Sequence, residues 1–420
     1  MASSESPRVE TRVPPSADSA SRSGGIEVLA LSPPSGDTGV DQRIRRLQTV
    51  ARARTRALEA WLELGDAWVT KARESSYPGY YVNADACASR VLELSPNNAL
   101  GLNLRTQVLL NGHRFEEARD LAHAVTTRDP GVAAAWGNLS DAWLELGDYS
   151  RAKEAAERML DLKPNLPSYS RISYLAFLEG DHATAQEAIR LAIDACDPNN
   201  REVRAWVLVQ AASLFWHRGD YEGADAGYRV ALESLAEYPP ALVGRARVAL
   251  ARRDPKTAAS LLSRALERSP LVETAWLLGE AEEQLGHSDA ALRAFARAES
   301  EGKAGDPRSL SLMWSARGER PDEALRLAQA ERARRSDIYT DDAVAWALYR
   351  NGRAADAVGT ARNVLRLGTR DARLQFHAGA IELAAGDRAR GRALLRAALA
   401  QNPEFDPRGA REARELLTKR

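Results

Sequence analysis

The stretch Ala133–Pro164, AAAWGNLSDAWLELGDYSRAKEAAERMLDLKP, decides how the rest of the chain is read. Trp136, Leu139, Ser140 and Trp143 are spaced by 3, 1 and 3 residues, which puts all four on one face of a helix. Gly147-Asp148 then interrupts the pattern. Tyr149, Ala152, Ala156 and Met159 resume an apolar helical face, and Pro164 ends it, because proline lacks an N–H and disfavours helix in the residue before it. The stretch is one pair of antiparallel helices joined by a turn.

Working outward, a small residue returns in the place of Ala152 at Ala84, Ala118, Ala185, Ala224, Ala258, Ala291, Ala324, Ala357 and Gly391. The successive gaps are 34, 34, 33, 39, 34, 33, 33, 33 and 34 residues. A period near 34 is that of a helix-turn-helix unit that stacks into a solenoid. Two helices that cross closely leave room for a methyl group at the crossing, and alanine supplies it without loss of helix propensity. A second small set, Gly65, Ser140, Ser173, Ala212, Ala246, Gly279, Ala345 and Gly379, lies on the first helix of most units and is expected to face the first set.

The run W-x-x-L-S-x-x-W-x-x-x-G-D-Y-x-x-A-x-x-x-A-x-x-M-x-x-x-x-P resembles the tetratricopeptide repeat, and the resemblance extends from Ala57 to Pro403. It implies an all-α fold: a right-handed α-solenoid of about ten helix-turn-helix repeats. Residues 1–45, rich in Ser, Pro and Gly, are expected to be a disordered tail, 46–403 one elongated solenoid, and 404–420 a capping helix that covers the last apolar face. For the short apolar segment Ile26–Leu31 two readings stand: a motif that docks on the solenoid or on a partner, or stray apolar residues in a tail. The 39-residue gap predicts a longer connection around Pro198-Asn199-Asn200, and the eighth unit is irregular, with Glu331 in an apolar position. Segments Ile338–Tyr349, Leu367–Asp371 and His377-Ala378-Gly379 also resemble bacterial tetratricopeptide proteins of uncharacterised role, which implies a bacterial source.

Lys+Arg and Asp+Glu both number 58, so no global field favours nucleic acid or anionic lipid. The run Arg332-Ala333-Arg334-Arg335 is expected to be a solvated helix face. Cys87 and Cys196 are too far apart along a stack to bridge and are expected to be buried thiols. No apolar run reaches 18 residues and the first 25 lack the order of a secretory signal, so the expectation is a cytoplasmic protein without membrane insertion.

Phosphate-loop, H-E-x-x-H, C-x-x-C and G-x-S-x-G signatures are missing, and the six histidines are scattered. No enzyme, catalytic residue, metal or cofactor is expected. His377 is expected to hydrogen-bond a neighbouring hairpin, and Asp342, with Tyr339, Thr340 and Asp341 beside it, to help start the ninth.

The resemblance implies that first helices line a concave groove where a peptide or a helix of another protein lies. The stripe beside the small residues contains Asn103, Gln107, Asp141, Tyr174, Phe177, Trp216, Arg247, Trp276, Trp346, Tyr349 and Arg350. Trp, Tyr and Arg dominate binding hot spots, so these are candidate partner-binding residues; the alternative is that the rings pack between hairpins as core. The lysine that grips a carboxylate in one subtype of the family is missing, and Asp141 would repel the ligand. The expected function is a non-catalytic interaction scaffold. A ligand-responsive regulator is the alternative, and an enzyme with a groove site a third.

Overall fold

The computed structural model describes residues 23–75 and 77–419. Every regular element among them is helical. The chain divides into two compact units, residues 1–112 and 113–420, where the repeat pattern predicts one elongated domain.

The first unit contains α1 (Ser23–Ala30), α2 (Gly39–Ala53), α3 (Leu58–Ser75), α4 (Tyr81–Leu94) and α5 (Ala99–Asn111), with a 3-10 turn at Pro78–Tyr80 lengthening the α3–α4 connection. The expected disordered tail is corrected for residues 23–45; residues 1–22 lie outside the described residues. Helix α1 packs on α4 and α2 on α3. Ala30, Ile44, Trp61 and Trp68 are all at most 1% exposed. The Trp68 indole donates to Ala30 O at 3.0 Å and the Asn83 amide to Leu29 O at 2.7 Å, so the apolar segment docks on its own chain. Helix α2 starts with a capping box, Thr38 with Asp41. Burial works against the charge of Asp41, but Lys71 at 2.8 Å and Thr38 overcome it and hold the carboxyl below its usual range.

The second unit opens with α6 (Phe115–Arg128). The hairpins follow: α7 (Ala133–Glu145) with α8 (Tyr149–Leu162), α9 (Leu166–Leu178) with α10 (His182–Asp194), α11 (Arg201–His217) with α12 (Tyr221–Ser234), and α13 (Pro239–Ala251) with α14 (Pro255–Arg268). Next come α15 (Val272–Gln284) with α16 (Ser288–Gly305), α17 (Pro307–Arg317) with α18 (Pro321–Arg332), α19 (Ile338–Arg350) with α20 (Ala354–Val364), and α21 (Ala372–Ala384) with α22 (Arg388–Gln401). Helix α23 (Gly409–Thr418) packs on α21 and α22. The hairpin expected around Ala118 is divided between the units, α5 in one and α6 in the other. The extra residues of the 39-residue gap lengthen α11 to 17 residues as well as the loop before it.

The two small-residue sets face each other. The Ser140 hydroxyl donates to Ala152 O at 2.7 Å and that of Ser173 to Ala185 O at 2.8 Å. Ser311 does the same to Ala324 O at 2.7 Å, which supplies the irregular eighth unit with the partner its sequence did not advertise. A Cβ on Gly379 would lie 3.0 Å from Gly391 O. Ala152 is fully buried, so Ala152→Leu is expected to overpack the crossing and lower stability by about 1 to 3 kcal/mol. A thermal melt checks it.

The stack curves until it meets itself. The turns after α7, α9 and α11 touch the connections that follow α18, α20 and α22, in order. Ser336 N–H donates to Glu145 O at 3.0 Å, Ile338 N–H to the Tyr149 phenol oxygen at 2.8 Å, and Arg335 pairs with Glu145 at 3.0 Å. The Thr369 hydroxyl donates to Leu178 O. The Asn402 amide donates to Trp216 O at 2.8 Å and the Tyr221 phenol to Asn402 Oδ1 at 2.6 Å. Arg335–Glu145, Thr369–Leu178 and Asn402–Trp216 are 190, 191 and 186 residues apart, so one register runs through the closure.

Gly147, Gly180 and Gly219 make it possible. Each has φ between +71° and +79°, the left-handed region, and each faces backbone of the opposing connection where a Cβ would stand.

Two further expectations are corrected by this closure. Arg335 is 6% exposed, because Glu331, Glu145 and Asp337 surround it; Arg332, Ala333 and Arg334 of that run stay on the surface. The cap of α19 is Asp337, which accepts from the N–H groups of Tyr339 and Thr340, while Asp341 and Asp342 point to Arg332 and His377.

Candidate functional site: the lumen of the second unit

Closure converts the concave face into the wall of a lumen. Between α11, α13, α15 and the N-terminal turns of α19 and α21 lies a cavity of about 280 Å³. Trp216, Arg247 and Trp276 of the candidate stripe border it. So do Glu273, Tyr339 and Arg373, each in the first turn of its helix, about one turn before the aromatic stripe begins. Glu273 and Arg373 were missed as site residues, because helix-start positions read as capping and solvent.

The other candidates divide between the lumen and the core. Asn103 and Gln107 belong to the first unit, where Asn103 is buried. Asp141 is held by a two-pronged pair with Arg171 at 2.6 and 2.9 Å. Tyr174 keeps 40% of its surface open, whereas Phe177 is buried between it and His217, whose ring centre is 4.6 Å away. Trp346, 1% exposed, is core: it stacks on His377 at 3.9 Å and on Tyr349 at 4.9 Å, with the Arg350 guanidinium 4.4 Å from its ring centre. Arg350 pairs with Glu412 of α23 at 2.7 Å. Phe177 and Trp346 are thus buried side chains packed among neighbouring rings.

His377 bonds Asp342 of the preceding hairpin at 2.9 Å, as its sequence context predicts. Cys87 and Cys196 are free and buried, and burial pushes both thiols up.

The electrostatics of the wall are set by desolvation. Burial works against ionised Glu273, but Arg247 and then Arg373 hold its carboxyl below the usual range. Burial pushes the His217 pKa down, with Asp371, 3.7 Å away, opposing. It pushes those of His113 and His182 down too. Groups kept neutral by folding take up protons on unfolding. Their contribution is therefore present above the ordinary histidine pKa of about 6.5 and lost as pH falls below it. Stability is expected to drop as pH falls below about 6.5, and less so in His217→Gln; urea titrations at stepped pH check it.

A sequence model of the tetratricopeptide repeat matches residues 105–167 and 243–307. With the recurring hairpins, this makes the chain a tetratricopeptide-repeat protein. Among solved structures it is similar to PilW, a type IV pilus biogenesis factor: 16% identity over 51% of this chain and 97% of that one, TM-score 0.42. It is also similar to PilF of Pseudomonas aeruginosa (13%, 48% and 90%, 0.41) and to yeast Tom70 (13%, 90% and 95%, 0.37). Likenesses of this size carry nothing about site or partner. No curated protein matches. No helix among the described residues is long and apolar enough to cross a membrane.

Proposed function

We propose that the chain is a non-catalytic interaction scaffold, bacterial and cytoplasmic, that takes a peptide or helix of another protein on its inner face. The observation that carries this reading is the convergence of Trp216, Arg247 and Trp276, from three successive first helices, on one cavity. Aromatic and arginine side chains in a partly desolvated setting are the usual anchors of protein recognition.

The test is crosslinked recovery of partners from the native organism with the full chain, against Tyr174→Ala combined with Arg247→Gln. Tyr174 is exposed and Arg247 borders the cavity, and a melt confirms the fold. A protein recovered by the parent and lost by the double variant supports the scaffold. Identical recovery by both contradicts it.

The closure favours a second reading, a ligand-responsive regulator. A ligand that binds the closed arrangement better than an opened one would shift the balance of these turn-to-connection contacts. Small-angle scattering that changes only when a small ligand is added would support it over a passive scaffold.

A further inference from the structure

We propose that the cavity between Trp216, Trp276 and Arg373 is a binding site for a singly charged carboxylate carried on an apolar or aromatic body of about one residue's size. The inference stands on the cavity itself and does not require the partner-binding reading.

The charges around the cavity have partners within 4 Å, with Arg373 the exception among the described residues; Asp371 and Glu273 act on it from farther away. Arg247 pairs with Glu273. Asp371 caps α21, accepting from Arg373 N–H at 2.9 Å, and lies beside His217. Glu404 pairs with Arg414 at 2.7 Å, and Asp406 accepts from the N–H groups of Arg408 and Gly409. The Arg373 guanidinium makes no ion pair within 4 Å among the described residues, and its Nε, shielded from solvent, has no acceptor. A buried donor left without an acceptor is costly, which makes it a reason to look for a ligand.

A planar guanidinium fork matches a carboxylate through two parallel N–H···O bonds. The carboxylates of Glu273, Asp371, Glu404 and Asp406 border the same space and repel any anion, a dianionic phosphate more than a single carboxylate, so the ligand's charge has to sit at the Arg373 fork. The volume falls just under the range of roughly 300 to 1,000 Å³ for organic-ligand sites, so the ligand is small. The indoles of Trp216 and Trp276 supply apolar wall for the body of the ligand. The same chemistry belongs to a free amino-acid-sized acid and to the C-terminal residue of a peptide.

The experiment is calorimetric titration of the full chain with N-acetylphenylalanine, its amide, inorganic phosphate, and one hexapeptide ending in phenylalanine as free acid and as amide. The acid of at least one source is expected to bind, with its amide and phosphate weaker by about tenfold or more. Binding by the small acid alone assigns the site to free acids, and binding by the peptide acid alone assigns it to chain ends. Arg373→Gln is expected to reduce affinity by about tenfold or more at a temperature where a melt shows the variant folded; its melting temperature is expected to fall somewhat, because Glu273 and Asp371 lose a nearby cation. Acid and amide binding equally, no acid binding at millimolar concentration, or undiminished binding by Arg373→Gln would overturn the proposal. The comparison of acid with amide on the parent chain needs no variant. Failure of this site leaves crosslinked partner recovery untouched, and the reverse also holds.

Discussion

Arg335→Met is expected to destabilise the second unit by about 3 to 5 kcal/mol, the range for removing one member of a buried ion pair. Glu331, 1% exposed, lies 2.9 Å from Arg335 Nε. The N–H does not point at the oxygen, so the contact is an ion pair and not a hydrogen bond, and neither Glu331 oxygen has another donor. Glu145, whose carboxyl burial pushes up, loses its cation in the same variant. Methionine restores volume but no charge, and of the three carboxylates around it Glu331 and Glu145 lose their cation while Asp337 keeps Arg308. Arg334→Ala, one residue away and exposed, is expected to stay within about 0.5 kcal/mol. Chemical denaturation of the two variants checks the contrast.

Gly147→Ala is the second large effect, and Gly286→Ala is its control. Both glycines occupy the turn after a first helix, at φ +79° and +78°. A left-handed alanine costs roughly 1 to 2 kcal/mol at either place. At Gly286 nothing lies within 4 Å of the added Cβ, so that is the whole penalty. At Gly147 the Cβ would collide with the backbone carbonyl of Ser336, which forces the connection after α18 away. The excess over the control is expected to be about 1 to 3 kcal/mol, and it reports the energy of the contact between the two ends of the register. Equal losses in the two variants would mean that the turn and the connection do not meet.

These two variants mark the border of what the sequence discloses. The hairpins were legible because their signal is local: a small residue every 33 or 34 positions, facing a second small residue a turn and a half-helix away, is a steric requirement repeated within each unit. Closure has no such signature. Glu145 and Arg335 are 190 residues apart, and nothing near either announces the other, so Arg335 reads as surface until the curvature is known. For Trp346 and Phe177 the sequence left groove and core both open, and both side chains are buried. Glu273 and Arg373 were overlooked because an ionisable residue in a first helical turn is ordinary. The N-terminal helices are a different case. Thr38 and Asp41 form a box before Ile44, Leu47 and Ala51, a helix start legible in the sequence but overshadowed by the Ser, Pro and Gly around it.

The most direct test of the closed superhelix is native-state hydrogen exchange at the amides of Ser336 and Ile338. Both lie at the junction of α18 and α19, and their acceptors, Glu145 O and the Tyr149 phenol, come from the far end of the register. Ser336 is an exposed residue whose amide is held by the bond to Glu145 O. Closure predicts slow exchange at both amides in the parent chain, with loss of protection at Ile338 alone in Tyr149→Phe and at both in Gly147→Ala. Exchange at Ser336 and Ile338 as fast as in an unstructured loop would contradict it.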